Sequence, residues 1–169
     1  MSWAQLNRHI AATDSRHPAL KATAYVIAVE VAVQAMAAVW AMAGLGKWIA
    51  GGGVADASLI ESETAPFPEI AGFIIHGING GIVIPVIALV LMVLSFFTRR
   101  KRPIVVAVAL FVGVVLQGQL GFLGHEVPIV GALHGLNALV VFALALYAAR
   151  RVTFDQPADH HTDQSVTTG

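Results

Sequence analysis

Cysteine is absent from the 169-residue chain. That one absence removes disulfides, thiolate metal sites, Cys-ligated iron–sulfur clusters and covalent c-type haem attachment. Charge is scarce as well: 12% of the residues are charged, and 10 Lys and Arg balance 10 Asp and Glu. No nucleic-acid-binding face can be built, because the cations form only short clusters beside apolar runs. Phosphate loops, nucleophile triads and the His-x-x-x-His zinc pattern are also missing. What is present is apolar, with 57% hydrophobic residues and a positive mean hydropathy, outside the range of soluble domains.

Apolar stretches of about 20 residues, the length needed to cross the hydrocarbon, run near Ala22–Gly46, Ile70–Phe97, Pro103–Leu123 and Pro128–Ala149. Residues 1–21, with Arg8, Asp14, Arg16 and Pro18, lack the apolar core of a cleavable signal peptide, so the first span is expected to act as an uncleaved signal and anchor. The expected organisation is an N-terminal arm (1–21), a transmembrane domain (22–149) and a polar, disordered tail (150–169).

Direction follows from the cations. Arg8, Arg16 and Lys21, the cluster Arg99-Arg100-Lys101-Arg102, and Arg150-Arg151 all fall on one side of an even number of spans. The positive-inside rule makes that side the cytoplasm, with both termini in it. The outer side carries Lys47, Asp56, Glu61, Glu63, Glu69 and Glu126, and Trp40 and Trp48 sit where an aromatic belt would. Short connections at 98–102 and 124–127 make sequential helices antiparallel neighbours. The sequence therefore predicts an all-α, up-down transmembrane four-helix bundle in the cell membrane. The longer 47–69 loop, with Gly51-Gly52-Gly53, Pro66 and Pro68, is expected to cap its outer end.

Two spans share a motif. The second reads His76-Gly77-Ile78-Asn79 and the fourth His134-Gly135-Leu136-Asn137, each starting roughly 9 Å below the outer surface at about 1.5 Å per residue. Since these helices run in the same direction, the repeat implies two helical hairpins related by a pseudo-twofold axis along the membrane normal. An ionisable side chain at such depth costs about 2.5–3.5 kcal/mol or more, so two at one level need a common reason. Two neutral imidazoles facing each other across a bundle core can ligate one metal axially, as a bis-histidine b-type haem requires. Gly77 and Gly135 would leave room for a planar macrocycle. Asn79 and Asn137, one turn deeper, could hydrogen-bond a ligand or a neighbouring helix. The alternative is packing: Gly77 with Gly81, and Gly131 with Gly135, are small-xxx-small pairs, and His and Asn can simply bond across helices.

The run Leu116-Gln117-Gly118-Gln119-Leu120-Gly121-Phe122-Leu123-Gly124, followed by Gly131-Ala132-Leu133-His134, resembles the third-to-fourth helix segment of one four-helix half of haem A synthase. By that resemblance His76 and His134 correspond to haem ligands. The family's glutamate three residues before the first ligand is Phe73 here, its following arginine is Gly77, and its outer-loop cysteines are missing. The chain also supplies one half where that enzyme has two, so oxidation of haem is not the implied activity. Leu133-His134-Gly135-Leu136-Asn137-Ala138, an apolar run and Arg150-Arg151 also resemble an uncharacterised bacterial four-helix membrane family.

Other polar residues invite two readings each. Glu30, about 12 Å into the first span, with Gln34 one turn on, could relay a proton, contact a quinone or bond helices together. Gln117 and Gln119 are two apart, so only one is expected to face the interior and the other lipid or a partner. His125 and Glu126 could touch a haem propionate or a metal, or form a solvated turn; His160-His161 lie in the polar tail. The expected function is binding of one haem b by His76 and His134, for electron transfer with a quinol or an outer-face redox partner, or for haem handling. The alternatives are an accessory or assembly subunit of a membrane complex and a small metal-binding transporter using His76, His125, His134 and Glu126.

Overall fold

The computed structural model describes residues 18–56 and 65–152. Four helices are long and apolar enough to cross a membrane: α1 (Pro18–Ala50), α2 (Pro68–Phe97), α3 (Lys101–Gly124) and α4, which runs as a regular helix over Pro128–Tyr147. The protein is a membrane-embedded, all-α four-helix bundle. Most of the 1–21 arm, most of the 150–169 tail and the middle of the 47–69 loop lie outside the described residues.

The first three helices begin before their apolar stretches, because proline and polar residues can occupy a first turn whose N–H groups have no intrahelical partner. Pro68 and Pro128 stand in such first turns. The tight α2–α3 connection turns at Arg99, whose φ is 54°, and is held by Thr98 Oγ1, which donates to Ser95 O and accepts from the Arg100 N–H.

The second span is not uniform. It opens with a 3₁₀ turn (Pro68–Ile70), continues as α-helix to Ile78, widens into a π turn over Asn79–Val83 and resumes as α-helix from Ile84 to Phe97. Pro85 supplies a physical cause, since it has no N–H for the carbonyl four residues back and its ring crowds that turn.

Every helix packs against two others, so that α1 and α3 occupy one diagonal of a square and α2 and α4 the other. The continuous apolar core fills only one half of it. Leu20, Ala24, Ile27 and Ala28 of α1 meet Ile84, Ala88 and Leu91 of α2, Ala107, Leu110 and Val114 of α3, and Val141 and Ala145 of α4. These lie toward the α2–α3 turn, away from the histidines. In the other half the helices meet within hairpins. A Cβ on Gly72 of α2 would run into Ala37 O of α1, and one on Gly124 of α3 would come within 2.8 Å of Gly131 Cα on α4. The described residues of α2 before Ile84 pack on α1 and do not form a comparable contact with α3 or α4. Val29, Met36 and Val39 of α1, Phe97 of α2, Phe122 of α3 and Leu139 of α4 point outward, as lipid-facing residues do.

Candidate functional site

The diagonal placement of α2 and α4 brings the two motif histidines together across the centre. The rings of His76 and His134 have centroids 6.0 Å apart with planes at 56°. Both side chains are half-buried.

Each histidine is held by a glutamine on the preceding helix, in the same way. His76 Nδ1 lies 3.1 Å from the backbone carbonyl of Gln34, and the Gln34 side-chain amide donates back to His76 O at 3.0 Å. His134 Nδ1 lies 3.0 Å from the Gln117 carbonyl, and Gln117 Nε2 donates to His134 O at 3.0 Å. A carbonyl can only accept, so each Nδ1 carries the proton. In a neutral imidazole this leaves the lone pair on Nε2, the atom not committed to a helix. A backbone carbonyl fixing one ring nitrogen while the other is free is the arrangement by which proteins orient histidine ligands to metals.

The asparagines finish the two clasps differently. Asn137 Nδ2 donates to Gln117 Oε1 at 2.7 Å and to Gly113 O at 2.9 Å. Asn79, on the π turn and buried, donates instead to Glu30 Oε2 at 2.9 Å. Gln34 Oε1 is buried and receives no hydrogen bond from the described residues. Glu30 in α1 and Gly113 in α3 occupy equivalent places, each four residues before the glutamine of its clasp. The π turn brings Gly80 so close to Gln34 that a Cβ there would collide with the Gln34 amide.

The glycines divide into two groups. Gly121 lies under His134, where a Cβ would sit 3.0 Å from the ring, and Gly131 packs on Gly124. A Cβ at Gly77, Gly81 or Gly135 would meet nothing within 4 Å. Among the described residues those three do not mediate helix packing, whereas Gly72 and the Gly124–Gly131 pair do, so the small-xxx-small expectation holds at Gly131 alone. Of the two glutamines on α3, Gln117 faces the interior and Gln119 is exposed, the division their spacing predicts.

His125 and Glu126 are exposed in the α3–α4 turn. Among the described residues no three or more His, Cys, Asp or Glu side chains are grouped to hold a metal ion. His160 and His161 lie outside the described residues.

Fold and site together define a membrane-spanning bundle of two hairpins, each presenting one oriented imidazole to a common centre. No protein-family model, curated protein or solved structure matches the chain.

Proposed function

We propose that this membrane protein binds one b-type haem through His76 and His134 and serves in electron transfer or haem handling. The observation that carries the reading is the pair of rings 6.0 Å apart, each with Nδ1 bonded to a backbone carbonyl. At that separation His76 and His134 would be able to hold a single iron between them.

The surroundings fit a planar group. Gly77 and Gly135, each next to a histidine, leave open space that a side chain would fill. The continuous apolar core stops short of this level. The donors gathered at this level are two imidazoles, the number by which a bis-histidine protein would hold a haem iron. When bound, the iron would supply one-electron chemistry. The protein's part is to orient the two rings through the Gln34 and Gln117 carbonyls and to exclude bulk water by the bilayer. The likeness of the α3–α4 segment to half of haem A synthase supports the same two ligands, and Phe73 in place of that family's acid speaks against haem oxidation.

The positive-inside reading of the basic clusters supports an outer-half position for the histidine pair, with the termini in the cytoplasm. The four spans carry no histidine in their other half, so the chain would exchange electrons at the outer face, with a quinol or a redox partner.

A second reading has its own support. Each clasp joins the two helices of a hairpin through reciprocal hydrogen bonds, and the open faces at Gly77, Gly81 and Gly135 could receive helices of another protein. The protein would then be an accessory or assembly subunit of a membrane complex.

Purification in mild detergent after expression with ample haem separates these readings. The haem protein shows a Soret band and a sharpened α-band on reduction, both lost in His76→Ala and in His134→Ala. Haem-free wild-type protein that captures a membrane partner, and still captures it as the double alanine variant, supports the accessory reading. Bound metal without a porphyrin spectrum would favour the transporter.

A further inference from the structure

Between the hairpins the packing changes with depth. On α3 the stripe Ala107, Leu110 and Val114 is buried, whereas one turn further toward the histidines it reaches Gly118, which is exposed and whose Cβ would meet nothing within 4 Å. On α2 the buried residues Ile84, Ala88 and Leu91 belong to the common core, whereas Ala71–Val83 pack on α1 and make no comparable contact with α3. Gly81 of α2 is likewise exposed with open space around it. Closely packed below Ile84, α2 and α3 therefore part above it, at the level of the histidine pair.

The walls of this gap have no charge. Between Ile70 and Phe97, α2 has no Asp, Glu, Lys or Arg, and α3 has none between Pro103 and Gly124. Ile78, Ile82 and Val83 of α2, and Val115 and Leu116 of α3, are exposed at this depth. The opening faces hydrocarbon instead of water, since it lies within two spans that cross the bilayer. By contrast α1 and α2, and α3 and α4, are tied at the same level by the two clasps and by the Gly72 and Gly124–Gly131 crossings.

We propose that the gap between α2 and α3 is a lateral portal through which a planar, lipid-soluble porphyrin reaches His76 and His134 from the bilayer. This inference rests on the haem reading above and adds the route. It assigns to Gly81 and Gly118 the role of keeping the portal clear, and it makes the outer loops no barrier to loading. The ligand partitions into the membrane first, then moves sideways between the hairpins, so that no clasp has to open.

The native absence of cysteine makes a clean test possible. Gly118→Cys, on the portal wall, and two controls, Gln119→Cys on the exposed side and Glu126→Cys at the outer turn, are reconstituted haem-free in phosphatidylcholine vesicles. Each is treated with a bulky maleimide and then offered haemin dissolved in the same vesicles. The expected result is loss of Soret development only for the labelled Gly118→Cys protein, with the unlabelled variants loading like wild type. Loading before labelling should leave the spectrum intact and slow the maleimide reaction at position 118. Uptake that survives the label at 118, or that is blocked by the label at 126, overturns the lateral route while leaving haem ligation standing. Failure of unlabelled wild type to develop a Soret band refutes the haem reading itself, and the portal with it. Gly81→Trp gives an independent variant on the facing wall: slowed uptake with an unchanged melting temperature is expected, and unchanged uptake counts against the portal.

Discussion

The hairpins α1–α2 and α3–α4 hold their histidines identically and differ in nearly everything around them. Both use a glutamine carbonyl for Nδ1 and the same glutamine's amide for the histidine carbonyl. Beneath that clasp, α3–α4 is closed by Asn137 on Gln117 and Gly113, while α1–α2 has Glu30 inserted, a π turn and an orphaned Gln34 Oε1. An element preserved while its supports differ is one whose geometry carries the shared task. Here that element is the orientation of the imidazoles, and the supports are free to differ because they act only through it.

The sharpest way to break this comparison is to remove one ring at a time. His76→Ala and His134→Ala should each abolish the Soret band completely, since an iron held axially by a pair loses its site with either partner. The bundle should remain folded by circular dichroism, its main apolar core lying away from both residues. A variant retaining a full bis-histidine spectrum would show that the hairpins are not equivalent.

Next come the helix crossings. Gly72→Leu would drive a side chain into Ala37 O, and Gly124→Leu would drive one into the Gly131 backbone. Each is expected to cost about 1–3 kcal/mol by overpacking, read as a lowered melting temperature in detergent. Gly77→Leu and Gly135→Leu, which meet nothing, should leave that temperature unchanged while lowering haem content. Equal thermal losses at all four positions would undo the division of the glycines.

Much of this was legible in the sequence, for reasons that differ by residue. Four spans and their antiparallel order follow from hydropathy and short loops, because a bilayer enforces both. The repeated His-Gly-x-Asn placed two histidines at one depth, and the diagonal packing of α2 and α4, which the sequence does not specify, brings their rings together. Gln34 and Gln117 were visible as intramembrane polar residues but not as the partners of the histidines. The histidine ring bonds their backbone carbonyls, and a carbonyl leaves no residue-type signature. A glutamine at histidine depth on each preceding helix was the available signal. Small-xxx-small spacing identifies a face without saying whether another helix lies on it, so it could not tell Gly131, which packs on Gly124, from Gly77, Gly81 and Gly135, which stay open. The π turn could have been suspected from Pro85, yet how far it turns Asn79 toward Glu30 depends on tertiary contact with α1.

The asparagines should separate the hairpins by a smaller margin. Asn137→Leu forfeits two interhelical hydrogen bonds, each worth about 0.6 kcal/mol in a membrane, and leaves behind only a neutral amide oxygen, Gln117 Oε1, in the state Gln34 Oε1 already has in the other clasp. Asn79→Leu removes one bond but strips the Glu30 carboxyl of the amide that donates to it, and leaving a polar group unsatisfied costs about 1–3 kcal/mol. Asn79→Leu should therefore be the worse of the two despite losing fewer bonds. Adding Glu30→Leu removes the abandoned group as well and should restore stability. If the double variant is no better than Asn79→Leu alone, the acid is satisfied by something other than Asn79.

Smallest of all is the effect expected of Pro85→Ala, which asks why only one hairpin has a π turn beneath its clasp, the π turn of α4 lying at its far end over Ala148–Val152. The equivalent position of α4, nine residues after its histidine, is Ala143, and α4 is regular there. Restoring an N–H at 85 lets the Gly81 carbonyl take an ordinary helical partner, which favours relaxation of Asn79–Val83 to α-helix. Relaxation would rotate the whole segment before it by about one residue's turn, roughly 100°, carrying His76 away from Gln34. The clasp and the Asn79–Glu30 bond oppose that rotation. With the two tendencies opposed, the melting temperature should shift little and the Soret band should persist, while amide exchange at Gly81–Ile84 slows as the strain on that turn is relieved. Loss of haem in Pro85→Ala would mean that the proline, and not the clasp, sets the register of His76.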